Sequence, residues 1–600
     1  MATLGLVRGR GPNLFGRGRT LCEGRKNDAG YFLTFIYCFL MDRRDFLKTS
    51  AFGAAMFGLT GVSGCRVKIK NDFDTIIKNG VIYVGDGKAP IKGDLAIRDG
   101  KIAAIGENLG KNAAIVLDAK GMAVSPGFID IHVHTDTNLF DAPKGDSRIF
   151  QGITSEVGGN CGYCPFVYSD EEWEQRKDRP RKGGPAWRNI DGFYQRLADN
   201  KIGINYSSLV GHGDIREAVV GPYNVKATDE QILKMCSVLD EQLSMGAIGL
   251  SYGLEYAPGC YSDTREMVAL NKVVAKHNAL YTIHMRNEDD RVLEAMDEAI
   301  EAARLSGARL EISHLKAQNP ANFDKIDRML RKIDDAAAEG IDIAFDRYPY
   351  TAFSTGFTSF IPIELRDGTD KDIYARLNDP AACEKIKKYA YGRLERFGGP
   401  QQVIVAGCNA PENAAFSGKN LAECCKISGM DEWEMIRHLL ISERLQVNQA
   451  TFAMKEENLL KIYGHRLSMP ASDGSVYSPE GVLGKELPHP RSYGTFPRFF
   501  EKFVREEGLL DLSTAIYKCT GLPASRAKFK ERGMLIPGYA ADVTIFNSET
   551  IADKATYAKP HTFPEGILHV FVNGVWTIKE GAHTGALAGS ILDGNYLSRT

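Results

Sequence analysis

Between residues 128 and 474 the chain alternates two patterns of apolar and polar positions. Short apolar runs end in polar or titratable side chains: FIDIHVHTD (128–136), TSEVGGNCG (154–162), NYSSLVGHG (205–213), AIGLSYGLEY (247–256), LYTIHMRNE (280–288), RLEISHLKA (309–317), IDIAFDRYPY (341–350) and RLSMPASDG (466–474). Between several of them lie amphipathic stretches, such as DDRVLEAMDEAIEAARLSGA (289–308) and DKIDRMLRKIDDAAAEG (324–340), each closing near a glycine. The first pattern predicts buried strands, the second helices. Eight such runs in alternation predict a parallel sheet closed into a (β/α)8 TIM barrel over 125–529. The gap between the seventh and eighth runs is far longer than one helix requires. Residues 356–465 are therefore expected to form an insertion covering the barrel mouth.

The flanks follow a different grammar. DTIIKNGVIYV and DLAIRDGKIAAIG alternate β-branched and polar residues around Asn79-Gly80 and Asp99-Gly100, the dipeptides hairpin turns favour. ADVTIFN (541–547) and GILHVFVNGVWTIKEG (566–581) repeat it at the other end. One small β-sandwich or barrel domain, built from both termini (66–124 and 530–600), is the economical arrangement.

Composition narrows the function classes. The 74 basic and 76 acidic residues leave a formal net charge of −2 with no long basic block, which argues against a nucleic-acid partner. Twelve cysteines in 600 residues are too sparse for a disulfide framework. The first 65 residues are not domain material. Residues 1–40 have no signal character, and Met41 reads as the start of MDRRDFLKTSAFGAAMFGLTGVSGC. Arg43 and Arg44, an apolar stretch and small residues before Cys65 have the layout of a secretory signal. RRDFLK resembles the bacterial twin-arginine signal, and VSGC resembles a lipobox in which Val62 stands where Leu is usual. The expectation is a bacterial protein exported to the periplasm or anchored to a membrane through a lipidated Cys65. Plain cleavage near 60–65 is the alternative.

In a parallel barrel the polar ends of the strands converge on one face, where such folds place their sites. His132 and His134 are two apart on one strand, so both project to the same side. Two imidazoles projecting together suit a divalent metal. His284 ends the fifth strand and His314 the sixth. Asp473, after the eighth, reads as a buried structural carboxylate, an N-cap, or a general base acting on bound water. GGNCGYCP (158–165) admits a redox pair, half of a structural zinc site, a disulfide, or a thiolate with a separate task. A redox pair wants a helix N-terminus, and a zinc half-site a second close Cys or His pair; neither is evident. The end of the second strand places Cys161 among the histidines, where a thiolate is a strong zinc ligand.

These features are similar to the amidohydrolase superfamily from about 72 to 581, including SPGFIDIHVH and the returning GYAADVTIF. GGNCGYCP, IHMRNE, ISHLKAQ, DRYPYTAFST, ASDGS and HPRSYGTFPR, in this order, resemble the N-acyl-D-amino-acid deacylase (D-aminoacylase) group. The resemblance implies zinc held tightly by Cys161, His284 and His314, and a second, weakly filled position lined by His132, His134 and Asp473. It implies Asp473 as the catalytic acid and base. It assigns the substrate carboxylate to Lys316, Tyr348 and Arg491, with Ser354 as a weaker fourth. A surface salt bridge is the bland alternative for each of these polar groups. The carbamylated lysine of hydantoinase-like relatives would lie on the fourth strand, which has no lysine; Cys161 fits as its substitute. Glu255, the sole carboxylate of that strand run, is a weaker candidate for touching the metal and otherwise lies behind the ligands or in a loop, and His212 and Arg286 are expected to line the same cleft. The implied activity is zinc-dependent hydrolysis of N-acyl-D-amino acids to a carboxylate and a free D-amino acid. Cyclic amide (hydantoin) or dipeptide hydrolysis is the alternative chemistry. A non-catalytic surface lipoprotein is a further alternative, which the complete ligand set disfavours.

Overall fold

The computed structural model describes residues 71–178, 184 and 186–594. The signal-like segment and Cys65 lie outside the described residues. Among the described residues no helix is long and apolar enough to cross a membrane.

Five strands precede the barrel: β1 (Phe73–Ile82), β2 (Ile91–Arg98), β3 (Lys101–Gly106), β4 (Ala113–Asp118) and β5 (Ala123–Pro126). Asp99 adopts positive φ before Gly100 in the β2–β3 turn, whereas Asn79 lies inside β1, where its positive φ falls at a bulge against β2 and the expected hairpin turn does not form. The barrel strands are β6 (Phe128–Asp130), β7 (Ile153–Gly158), β8 (Asn205–Ser208), β9 (Val210–Gly211), β10 (Gly249–Gly253), β11 (Leu280–His284), β12 (Arg309–Ile312) and β13 (Ile343–Arg347). Then come β14 (Ala352–Gly356), β15 (Val403–Val405) and β16 (Asn448–Phe452) of the insertion, and β17 (Ser468–Pro470), which returns to the barrel. The chain closes with β18 (Val543–Phe546), β19 (Ile567–Val572), β20 (Val575–Lys579) and β21 (Ala582–His583).

One sheet joins the two ends in the order β21-β20-β19-β18-β5-β1-β2-β3, with β4 beside β1. Its seam is β18 against β5, where Val543 faces Pro126 and Phe546 faces Ala123. The barrel runs β6-β7-β8 and, with only Leu209 between, β9-β10-β11-β12-β13-β17, all parallel. A parallel bridge between Val133 and Gly474 closes the ring. Because β8 and β9 occupy one strand position, the ring has eight positions, in agreement with the sequence pattern. Below the mouth the barrel holds a buried ionic layer. Arg148 lies 3.4 Å from Glu156 and 3.6 Å from Asp130, and donates to Ser472 Oγ. Burial of apolar strand faces against the helices supplies most of the barrel's stabilisation.

The insertion has its own architecture. β14, β16 and β15 form an antiparallel three-stranded sheet, and Phe353, Phe357, Phe360, Ile386, Leu394 and Leu439 belong to an apolar core separate from that of the barrel. Its sheet spans Ala352 to Phe452, so it opens earlier than the apolar pattern suggests. The helix Glu456–Gly464 then leads straight into β17 as an ordinary barrel connection. In sequence β14 reads as a continuation of the seventh run, which is why the boundary falls differently. A lid with its own core can hold a fixed wall over the site.

Candidate metal centre and active site

Close backbone packing brings Cys161 to the mouth. A Cβ on Gly162 would lie 2.7 Å from Gly253 N, and one on Gly253 would lie 2.0 Å from Cys161 O, so both positions need glycine. Asp136, buried, accepts from Gly159 N at 2.9 Å and Tyr206 Oη at 2.8 Å and fixes the loop from below. Cys161 itself sits at φ 51°, His314 at 37° and Asp473 at 48°. Non-glycine residues in this left-handed region cost on the order of 1–3 kcal/mol each, and such strain concentrates at functional sites.

The geometry matches metal ligation. Cys161 Sγ lies 3.4 Å from His132 Nε2 and 3.5 Å from His314 Nε2. His134 Nε2 lies 3.1 Å from Asp473 Oδ1. Ligands on a tetrahedral zinc are separated by about 3.3–3.7 Å, given the usual Zn–N and Zn–S lengths. Three sets of ligand atoms each lie within 4.8 Å of one another: His132, His134, Cys161 and Asp473; Cys161, His284 and His314; and Glu255, His284 and Glu288. Cys161 belongs to the first two. Both ring nitrogens of buried His284 lack a hydrogen-bond partner, which leaves a donor–acceptor ring for a ligand to satisfy.

Electrostatics point the same way. Burial alone would lower the imidazoles, yet Asp346 and Cys161 hold His132 well above the ordinary histidine value. Burial is likewise outweighed at His134, pushed up to about 9 by Asp473 and Cys161, and at His284, pushed up to about 10 by Glu288 and Cys161. Burial would raise the Cys161 thiol, but His132 and His314 hold it well below its ordinary value. Burial would also raise the Asp473 carboxyl, but Arg491 and the histidines keep it well below the carboxylate range. A thiolate and a carboxylate set among imidazoles are the donor types a zinc-type ion takes, so the residues present fit such an ion.

The sequence reading did not assign the groups that orient these ligands. Asp346 at the end of β13 takes His132 Nδ1 on one oxygen, at 3.2 Å, and His314 N on the other, at 2.8 Å. Glu288 lies 3.0 Å from His314 Nδ1 and accepts from Lys316 Nζ at 2.5 Å and Gln318 Nε2 at 2.9 Å. Such outer carboxylates fix the tautomer and direction of a ligating imidazole. Asp346→Asn should weaken zinc affinity about 10–100-fold while the fold persists, as read by competition with a chelating dye. Wild-type affinity in that variant would remove Asp346 from this role.

Lys316, Tyr348, Ser354 and Arg491 all line one cavity of ≈ 810 Å³ above the metal ligands. Arg491 Nη1 donates to Asp473 Oδ2 at 2.7 Å, and its guanidinium stands 4.9 Å from the Tyr348 ring centre. The Tyr348 hydroxyl is buried without a hydrogen-bond partner among the described residues. Lys316 is met by Glu288, so its charge is already balanced within the wall. Glu255 lies 3.7 Å from His284 Nε2 and accepts from Glu288 N, beside the centre. Arg286 reaches the cavity but is tied to Glu298 and two carbonyls. His212 does not line the cleft as expected; it is buried on Glu266.

The model of the Amidohydrolase family matches residues 116–193 and 487–578. A D-aminoacylase of Alcaligenes xylosoxydans xylosoxydans is 31% identical over 522 residues, covering 87% of this chain and 97% of that protein. An N-acyl-D-glutamate deacylase of the same organism is 33% identical over 506 residues, 84% of this chain and 94% of that one. The crystal structure of N-acyl-D-glutamate deacylase from Bordetella bronchiseptica, complexed with zinc and a phosphonate inhibitor that mimics the tetrahedral intermediate, superposes with a TM-score of 0.72. It is 30% identical and covers 87% of this chain and 99% of that one.

Proposed function

Because the chain belongs to the D-aminoacylase group of the amidohydrolase superfamily, we propose that it hydrolyses N-acyl-D-amino acids to a carboxylate and a free D-amino acid. The observation that carries this reading is the sharing of Cys161 between two ligand sets, with Asp473 and Arg491 in contact beside them. We assign the tighter zinc to Cys161, His284 and His314 and a weaker second position to His132, His134 and Asp473. A zinc ion held there supplies a Lewis acid that polarises the scissile carbonyl and acidifies a water.

The protein's own groups do the rest. Asp473, kept ionised by Arg491, takes the proton of the attacking water as the new C–O bond forms. It then delivers that proton to the amide nitrogen as the C–N bond breaks, so the amine leaves neutral. Arg491 and the free Tyr348 hydroxyl orient the substrate α-carboxylate, and Ser354 on β14 closes the same wall.

A panel of N-acetyl-D- and N-acetyl-L-amino acids, assayed with and without chelator, tests the reading. Turnover is expected on D substrates only, abolished by chelator and restored by added zinc. Turnover of hydantoins or dipeptides with none on N-acyl-D-amino acids would overturn it.

A further inference from the structure

The wall that the insertion presents to the cavity carries two guanidiniums, Arg366 and Arg393, that form no ion pair among the described residues. Helix Pro380–Phe397 turns Ile386, Ala390 and Leu394 into the insertion's core and Tyr389, Arg393 and Arg396 towards the cavity. Tyr389, Arg393 and Phe397 follow one another at four-residue spacing, so they stack along one stripe of the helix. Arg393 Nη1 donates to Tyr389 Oη at 3.4 Å, and the guanidinium lies 5.1 Å from the Phe397 ring centre. Arg393 Nε is buried and has no hydrogen-bond partner among the described residues. Arg366, on the same wall, is held only by backbone carbonyls: Ile361 O at 2.8 Å, Glu255 O at 2.9 Å and Ser359 O at 3.2 Å.

Neither guanidinium forms an ion pair with a carboxylate among the described residues. Burial, and the like charge of Arg393, pull the Arg366 guanidinium below its ordinary value. The nearby acid Glu255 is turned to His284 and to Glu288 N instead. A desolvated cation is costly unless something negative meets it. Arg491 already serves the reacting end of the same cavity, so this second positive wall faces a different part of the ligand. The volume is within the range of small-molecule sites, about 300–1,000 Å³, and leaves room for a substrate reaching both walls.

On the deacylase reading above, we propose that Arg393, flanked by Arg366 and Tyr389, binds a carboxylate on the substrate's side chain, so that the preferred substrates are N-acyl-D-glutamate and N-acyl-D-aspartate. Likeness does not choose this specificity. The D-aminoacylase and the N-acyl-D-glutamate deacylase are 31% and 33% identical to the chain. The choice rests on the unpaired guanidinium, whose planar donors match a carboxylate.

The test compares kcat/KM for N-acetyl-D-glutamate, its neutral isostere N-acetyl-D-glutamine, N-acetyl-D-leucine, and N-succinyl-D-leucine, which carries the extra carboxylate on the acyl side. The wild-type enzyme should favour glutamate over glutamine about 100-fold, because a site built for a charged partner rejects the analogue that lacks it. Arg393→Met should reduce that ratio to within about 3-fold. Equal turnover of glutamate and glutamine, an unchanged ratio in Arg393→Met, or a preference for the succinyl compound over N-acetyl-D-glutamate would each overturn the proposal. The wild-type ratio needs no variant, so a misfolded Arg393→Met does not rescue it. Turnover of glutamine and leucine without an acidic preference removes only the side-chain site. Absence of turnover on every N-acyl-D-amino acid removes the deacylase reading and this proposal with it.

Discussion

Asp473→Ala is expected to keep the tight zinc near wild-type stoichiometry while kcat falls by at least about 10³-fold, the scale of a lost general acid–base. The expectation follows from its two contacts. One oxygen is 3.1 Å from His134 and the other 2.7 Å from Arg491, so the carboxylate stands with His132 and His134 and not with Cys161, His284 and His314. The substitution also strands Arg491, whose side chain is only 8% exposed. Breaking a buried pair from one side costs about 3–5 kcal/mol, so melting temperature should fall as well. Asp473→Asn retains a partner for Arg491 and separates the two effects: it should melt closer to wild type and be nearly as inactive. Metal analysis, thermal melting and kcat on the same preparations check this. Full turnover in either variant would remove Asp473 from proton transfer.

Cys161→Ser should lose both tightly bound metal and activity, with kcat/KM down by more than about 10³-fold, because a hydroxyl does not ionise as a thiolate does beside imidazoles. Cys164→Ser is the matched control. Cys164 is buried in the barrel's core beside Asp214, and burial together with Asp214 pushes its thiol well above the ordinary value. It is a packing group, and its serine variant should retain zinc and turnover within a few-fold. Metal content by emission spectroscopy after desalting, with activity before and after added zinc, distinguishes the two. Retention of zinc in Cys161→Ser, or its loss in Cys164→Ser, would reverse their roles. The same comparison answers what the C-x-x-C spacing means: both cysteines are free, and they face different surroundings.

Much of the barrel was legible because it obeys one local rule. Strand interiors are apolar and their carboxyl ends are not, so His132, His134, His284 and His314 stand out from the runs that carry them. The same rule contained Asp346, at the end of IDIAFDRY, but a lone carboxylate after a strand gives no sign of which ring it will orient. Glu288 is four residues past His284, and its partners Lys316 and Gln318 come from the next strand loop, a pairing that exists only once β11 and β12 are adjacent. His212 illustrates the reverse error. It follows an apolar strand like the others, yet it begins the helix His212–Val219 and turns towards Glu266. The insertion was legible as a length and not as a surface, since which face of helix Pro380–Phe397 meets the cavity depends on the separate core beneath it.

That separate core has a consequence for how such a protein can change over evolutionary time. The metal-ligating side chains and Asp473 stand at the ends of barrel strands, whereas Ser354, Arg366 and Arg393 stand on a body with its own apolar interior. Drift in the insertion can redraw what enters without disturbing the strained backbones at Cys161, His314 and Asp473. On the proposed reading, reaction and selectivity reside in two separately packed units. Exchange of residues 352–452 between relatives is the natural way to move one while keeping the other.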